Sequence, residues 1–323
     1  MLLSYYIIIQ KLSIVLLSDN VNIYLLFLLK NRQRSNQGQE GTKMENNNAY
    51  GLYGYPLGHT LSPFIHNELC RVKGIESDYK IFELPPESQD GNFEILKSQQ
   101  GFNVTIPYKV DIIKYLDELS ERASLFGAVN TVKSLGGNRF KGYNTDCGGF
   151  LRALDMAGIA LKGSVLVCGA GGVSRMFAFE TVLADCDLTI AVRDDDIHFA
   201  EKIKNEIKEK AGKDCRVILL SQADGEYDLI INGTPVGMFP RVDASVLPRE
   251  TVIKAKAVFD AVYNPAETLF IKYAREGGLK YSNGLPMLVW QAALAQEIWR
   301  GLEFSGDEIK EVLKATEKEL GRK

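Results

Sequence analysis

Cysteine is scarce in this chain. Its 323 residues include five, at positions 70, 147, 168, 186 and 215. The number is odd, the positions are scattered, and no C-x-x-C spacing occurs. A zinc ribbon and a disulfide framework are therefore not expected, and a reducing, cytoplasmic setting fits. Histidine is scarcer, with three residues. His59 and His66 stand close together without carboxylates or thiols clustered beside them, so no metal site is expected. An excess of one charge sign is also lacking. A formal net charge of −3 gives no general attraction to nucleic acid or to an anionic membrane, and neither is an expected partner. Met1 to Leu29 is rich in Leu, Ile and Tyr, but Lys11 and Asp19 interrupt it. The apolar run between them falls far below the roughly 18 residues of a membrane span.

No small-residue cleavage site follows a basic start, so a signal peptide fits poorly. Lys30 to Asn48 is polar and rich in Asn and Gln, and reads as an unstructured linker. Residues 1–48 are expected to be a disordered leader or a mis-assigned start. Met44 stands just before the first well-patterned strand, so residues 1–43 are expected to be an upstream translation artefact. The rival is an N-terminal membrane or targeting segment, and a peptide from residues 1–30 of native protein would overturn the artefact reading.

The rest is ordinary globular sequence, 46% hydrophobic and 24% charged overall, and long enough for two domains. Ala49 to Tyr55 reads as a strand. Phe64 to Lys73 reads as a helix, with Ser62 as N-cap and Pro63 at its first position. A strand over 78–84, a weak helix over 87–99 and a strand over 102–106 follow. Then come a helix over 117–125 and a hairpin of 127–135 and 139–143 around Gly136-Gly137-Asn138. Alternating strand and helix mean an α/β layer. After a helix over 147–156, strands are expected at 164–168, 188–192, 216–220, 227–232, 257–262 and 279–282. Their βαβ rhythm is that of a doubly wound parallel sheet, a Rossmann dinucleotide-binding unit. Helices over 285–300 and 306–320 close the chain.

One stretch breaks a local rule. In Gly101-Phe-Asn-Val-Thr-Ile-Pro-Tyr-Lys109, apolar residues alternate as far as Ile106, and Pro107 ends the strand. A helix over 108–113 would put Lys109 in its first turn, where the helix dipole disfavours a cation. A solvated surface lysine is the plain reading. Other polar residues gather at element ends: Thr60, Ser62, Asn103, Thr105, Asn130-Thr131 and Asn144-Thr145-Asp146. Such groups suit a small molecule with several hydroxyls, and each has a rival role as a cap or strand partner.

Gly169-Ala170-Gly171-Gly172-Val173-Ser174 follows a strand and opens a helix, the setting that a dinucleotide fingerprint needs. Gly169 allows the tight turn, Gly171 lets backbone approach a pyrophosphate, and the helix start supplies N–H donors. Ser174 stands where Gly or Ala is usual. The plain rival is a glycine-rich turn without ligand. At the end of the next strand, Arg193 suits the 2′-phosphate of NADP(H) and Asp194 suits the ribose of NAD(H). NADP(H) through Arg193 is favoured, with NAD(H) as the alternative. Asp194 to Asp196 would then cap the following helix.

Together these stretches resemble the shikimate dehydrogenase family. The resemblance rests on 54–63 (GYPLGHTLSP), 101–109 (GFNVTIPYK), 127–131 (GAVNT), 142–149 (GYNTDCGG) and 169–172 (GAGG). It continues in 232–238 (NGTPVGM), 260–268 (DAVYNPAET) and 284–291 (GLPMLVWQ). The order holds from about Ala49 to the C-terminus. The resemblance implies reversible NADPH-linked reduction of 3-dehydroshikimate to shikimate, on the way to chorismate and the aromatic amino acids. It implies a catalytic pair, Lys109 and Asp146, and a substrate pocket of Thr60, Ser62, Thr105, Asn130, Tyr263 and Gln291. It implies cofactor contacts from Gly169, Ala170, Gly171, Gly172, Val173, Arg193, Thr234 and Gly284. The expected domains are a substrate-binding one, 49–146 with 285–323 returning to it, and an NADP-binding one, 147–284. The expected assembly is a monomer or homodimer. Thr60 departs from the family's usual Ser, and Asp194 from its usual Thr. An NAD-linked quinate/shikimate dehydrogenase and a non-catalytic dinucleotide or shikimate sensor are the alternatives.

Overall fold

The structure is a computed structural model that describes residues 50–322, apart from His59 and the side chain of Ser88. The expected leader and the Met44 start lie outside the described residues, as does His59 of the 54–63 motif.

The first half begins with strand β1 (Tyr50–Gly54), helix α1 (Ser62–Val72), β2 (Tyr79–Glu83), α2 (Gln89–Leu96) and β3 (Gly101–Val104). It continues with β4 (Glu118–Leu119), α3 (Glu121–Phe126), β5 (Thr131–Gly136) and β6 (Arg139–Tyr143). These strands form one sheet in the order β2-β1-β3-β5-β6-β4. Strands β1, β2 and β3 are parallel, and the β5–β6 hairpin joins antiparallel to β3. The hairpin turn takes positive φ at Gly136, Gly137 and Asn138, a conformation open to Gly and Asn at little steric cost.

Helix α4 (Asp146–Met156) leads to β7 (Ser164–Cys168), α5 (Gly172–Leu183), β8 (Asp187–Val192), α6 (Ile197–Ala211) and β9 (Arg216–Leu219). Then come β10 (Leu229–Asn232), α7 (Arg249–Val252), β11 (Ala257–Asp260), α8 (Leu269–Glu276) and β12 (Lys280–Ser282). This second sheet is parallel throughout, in the order β12-β11-β10-β7-β8-β9. That is the doubly wound order, which reverses direction between β7 and β10. Both faces are covered, so β10 is buried along its whole length and reads as a continuous apolar run. Phe150 of α4, Phe177 of α5 and Phe259 of β11 meet with centroids 4.6–5.6 Å apart.

Helices α9 (Leu285–Arg300) and α10 (Gly306–Leu320) end the chain. Helix α9 packs closely on α4 because Gly149 has no side chain: a Cβ there would sit 2.7 Å from the Met287 carbonyl oxygen. It also covers the first sheet. Trp299 Nε1 donates to the Val132 carbonyl at 2.8 Å, and its indole takes the space over Gly101.

Three local expectations are corrected. Residues 106–110 form turns followed by a 3-10 helix, Asp111–Tyr115, so Lys109 is not at an α-helix start. Tertiary contacts override helix propensity there. Tyr108 is buried, stacks on Tyr53 at 4.2 Å, and donates to the Leu84 carbonyl at 2.6 Å. The helix expected over 117–125 splits, because the Asp117 carboxylate accepts from Phe140 N–H and draws 118–119 into the sheet. Ser120 then caps α3. Ser62 is the first residue of α1, with Leu61 at the cap position and no side-chain cap bond.

Candidate functional site

Of the polar residues expected at element ends, Asn103, Asn130, Thr131, Thr145 and Asp146 converge where β3, β5 and α4 meet. Val129 N–H donates to the Lys109 carbonyl at 2.7 Å, tying the lysine turn to the segment that enters β5. Lys109 Nζ donates to Asp146 Oδ2 at 2.7 Å. Asn130 Nδ2 donates to the other carboxylate oxygen at 2.8 Å. The Lys109 and Asp146 side chains keep 32% and 23% of their surface, so the pair stays within reach of a ligand. Asp146 opens α4, where the helix N-terminus favours an anion. A lysine held by a carboxylate at a surface of hydroxyls and amides can exchange a proton with a ligand oxygen.

The other expected substrate residues are placed separately. Thr60 Oγ1 accepts from Ser62 N–H at 3.2 Å. Thr105 follows β3 and packs against Gly54, where a Cβ would come within 2.4 Å of its methyl. Tyr263 packs against the apolar cluster that contains Leu61, Leu285 and Val289, and burial raises its phenol pKa. Gln291 lies on α9 beside Gly149, one turn along α4 from Asp146. Its amide donates to the Leu288 carbonyl at 3.0 Å. Asn103, Thr131, Thr145 and Tyr79 join the same hydrogen-bonded group. Three of them were visible in sequence as polar residues at element ends, but Tyr79 reads only as a strand residue.

The glycine loop lies at the reversal of strand order in the second sheet. The model of the shikimate dehydrogenase substrate binding domain matches residues 52–132. The NADP(+) shikimate dehydrogenase of Caldanaerobacter subterraneus subsp. tengcongensis is 38% identical over 271 residues, 82% of this chain and 96% of that protein. The chain belongs to the shikimate dehydrogenase family. Two solved family members are similar over most of this chain. The Thermus thermophilus enzyme, in complex with NADP(H) and shikimate, is 35% identical with a TM-score of 0.74. The match covers 83% of this chain and 99% of that one. The Listeria monocytogenes enzyme, in complex with shikimate and NAD, is 33% identical with a TM-score of 0.75. There the match covers 85% of this chain and 99% of the other.

In this member of the shikimate dehydrogenase family the loop fits a dinucleotide on its own geometry. Gly169 takes φ +103°, and a Cβ there would meet Thr234 and Ser174. At Gly171 and Gly172 a Cβ would meet nothing within 4 Å, so there is open space beside the start of α5, where a helix offers unpaired backbone N–H groups. Ser174 is accommodated because its hydroxyl donates to the Gly233 carbonyl at 3.0 Å, joining the β7 and β10 loops. Gly284 has a steric reason of its own, since a Cβ would lie 2.1 Å from the Ala261 carbonyl oxygen.

Arg193 stands at the end of β8 with its side chain 73% exposed, 2.7 Å from Asp196. Asp194 to Asp196 form a 3-10 turn, and no side-chain cap bond forms at Asp196. The expected capping role is therefore corrected: the Asp196 carboxylate pairs with Arg193 instead. Among the described residues no group of His, Cys, Asp and Glu is arranged to hold a metal.

Proposed function

We propose that this chain catalyses the reversible, NADPH-linked reduction of 3-dehydroshikimate to shikimate. The observation that carries this reading is the Lys109–Asp146 pair at 2.7 Å, buttressed by Asn130. When bound, the nicotinamide supplies the hydride chemistry. Lys109 Nζ donates a proton to the substrate oxygen in reduction and takes it back in oxidation. Asp146 orients the ammonium and balances its charge. Thr60, Ser62, Thr105, Asn130, Tyr263 and Gln291 hold the substrate's hydroxyl and carboxylate groups.

Residues 169–173 hold the pyrophosphate with backbone N–H groups, and Arg193 faces the 2′-phosphate. Thr234 and Gly284 complete the cofactor side. Residues 49–146 with 285–323 form the substrate domain, and 147–284 the NADP domain. No helix among the described residues is long and apolar enough to cross a membrane. We place the enzyme in the cytoplasm, as a monomer or homodimer.

NADPH consumption with 3-dehydroshikimate, followed at 340 nm and repeated with NADH, tests the reading. Turnover with NADPH exceeding that with NADH is expected. NAD-linked turnover of quinate exceeding that of shikimate would replace it with the quinate/shikimate reading, whose use of NAD the Arg193–Asp196 pairing favours. Tight binding of shikimate without turnover would leave a sensor.

A further inference from the structure

Asp146 is approached from two sides, by Lys109 and by Asn130. Behind Asn130 the hydrogen bonds continue across the first sheet with a single polarity. Tyr79 Oη donates to Asn103 Oδ1 at 2.7 Å. Asn103 Nδ2 donates to Thr131 Oγ1 at 3.0 Å. Thr131 Oγ1 donates to Asn130 Oδ1 at 3.2 Å, and Asn130 Nδ2 donates to Asp146 Oδ1 at 2.8 Å. Every link points toward the carboxylate.

The polarity is set from the carboxylate end. A carboxylate accepts only, so Asn130 presents Nδ2 to Asp146 and turns Oδ1 back. Oδ1 also accepts from Thr145 N–H at 2.7 Å and from the Thr145 hydroxyl at 3.1 Å. The Thr131 and Thr145 hydroxyls are 3.1 Å apart. Whichever of them donates to the other, one hydroxyl proton reaches Asn130 Oδ1, directly from Thr131 or through Thr145. At the far end, burial raises the Tyr79 phenol well above its ordinary pKa, so it keeps a proton to donate. Tyr79 is also pinned by stacking on His66 at 4.0 Å. Thr131 has no exposed surface and can act only through its neighbours.

We infer that Tyr79, Asn103 and Thr131 are positioning residues, a polarised hydrogen-bond chain that holds the Asn130 amide and, through it, the Asp146 carboxylate in register with Lys109. This rests on the proposed roles of Lys109 and Asp146. Donors in series polarise one another, and the gain is largest when the last acceptor is an anion.

The test uses Thr131→Val, Thr131→Ser and Tyr79→Phe in the full chain. Thr131→Val is expected to lower kcat by about three- to ten-fold, the rate equivalent of one hydrogen bond, with the Kd for NADPH unchanged. Thr131→Ser restores kcat, and Tyr79→Phe gives a smaller loss. In an Asp146→Asn background, followed at high enzyme concentration, Thr131→Val adds no further loss. Independently of turnover, hydrogen exchange of the Asn130 side-chain amide by NMR is expected to accelerate in Thr131→Val and not in Thr131→Ser. Wild-type exchange in Thr131→Val would overturn the inference. So would an equal fold loss of kcat in the wild-type and Asp146→Asn backgrounds. Wild-type protein without turnover would refute the reaction alone, leaving the exchange measurement to decide this inference.

Discussion

Arg193 donates through Nε to Asp196 Oδ2 at 2.9 Å, so the guanidinium expected to meet a 2′-phosphate is already paired within the chain. An exposed pair of this kind is weak, because water screens both charges. Releasing it with Asp196→Asn is therefore expected to tighten NADPH binding by up to about five-fold and leave NADH binding unchanged. Arg193→Ala is expected to weaken NADPH more than NADH. Fluorescence titration of each variant with both dinucleotides measures this. Parallel changes for the two cofactors would show that Arg193 does not face the 2′-phosphate.

The two glycines of the loop are expected to separate stability from binding. Gly169 combines φ +103° with a Cβ position 2.8 Å from the Thr234 methyl. Gly169→Ala should destabilise the fold by about 1–3 kcal/mol, seen as a lower Tm. At Gly171 φ is −76° and the space is open. Gly171→Ala should keep its Tm and weaken NADPH binding by roughly ten-fold or more, through obstruction of the phosphate approach. Unchanged binding in Gly171→Ala would point to a glycine turn without a ligand.

Asp260 carries a pH dependence with a definite sign. Its carboxylate is buried at the end of β11 and accepts from Asn232 Nδ2, Val262 N–H and Thr268 Oγ1. Burial outweighs these bonds and raises its pKa to about 6. A carboxyl raised in the folded state contributes stability that is complete below its unfolded pKa. That contribution is lost as pH rises through about 6, and its full size is on the order of 3 kcal/mol. An amide at this position can accept from Asn232 and Val262 and donate to Thr268. The stability of Asp260→Asn relative to wild type should therefore improve between pH 4 and pH 7 in urea denaturation. A difference that stays constant with pH would contradict this.

Much of the fold was legible because its signals are local. The apolar runs of β7 and β10, the glycine punctuation at 169–172, and the helices at 285–300 and 306–320 fall where the residues place them. The misreadings were tertiary. Nothing near Asp117 announces that its carboxylate will cap Phe140 N–H across the sheet. Nor does the Tyr108 sequence context show that its ring will stack on Tyr53 and stop a helix at Lys109. The candidate site divides in the same way. Lys109, Asn130 and Asp146 stood out through their motifs, whereas Tyr79 reaches Asn103 only because β2 is brought to the edge of the sheet beside β1.

The account turns on Lys109, and the most direct measurement compares turnover with cofactor binding in Lys109→Ala. With 3-dehydroshikimate and NADPH, kcat is expected to fall by about 10²–10⁴-fold, the usual cost of losing a general acid. The Kd for NADPH is expected to stay at its wild-type value. Near-normal turnover in Lys109→Ala would contradict the proposed proton transfer.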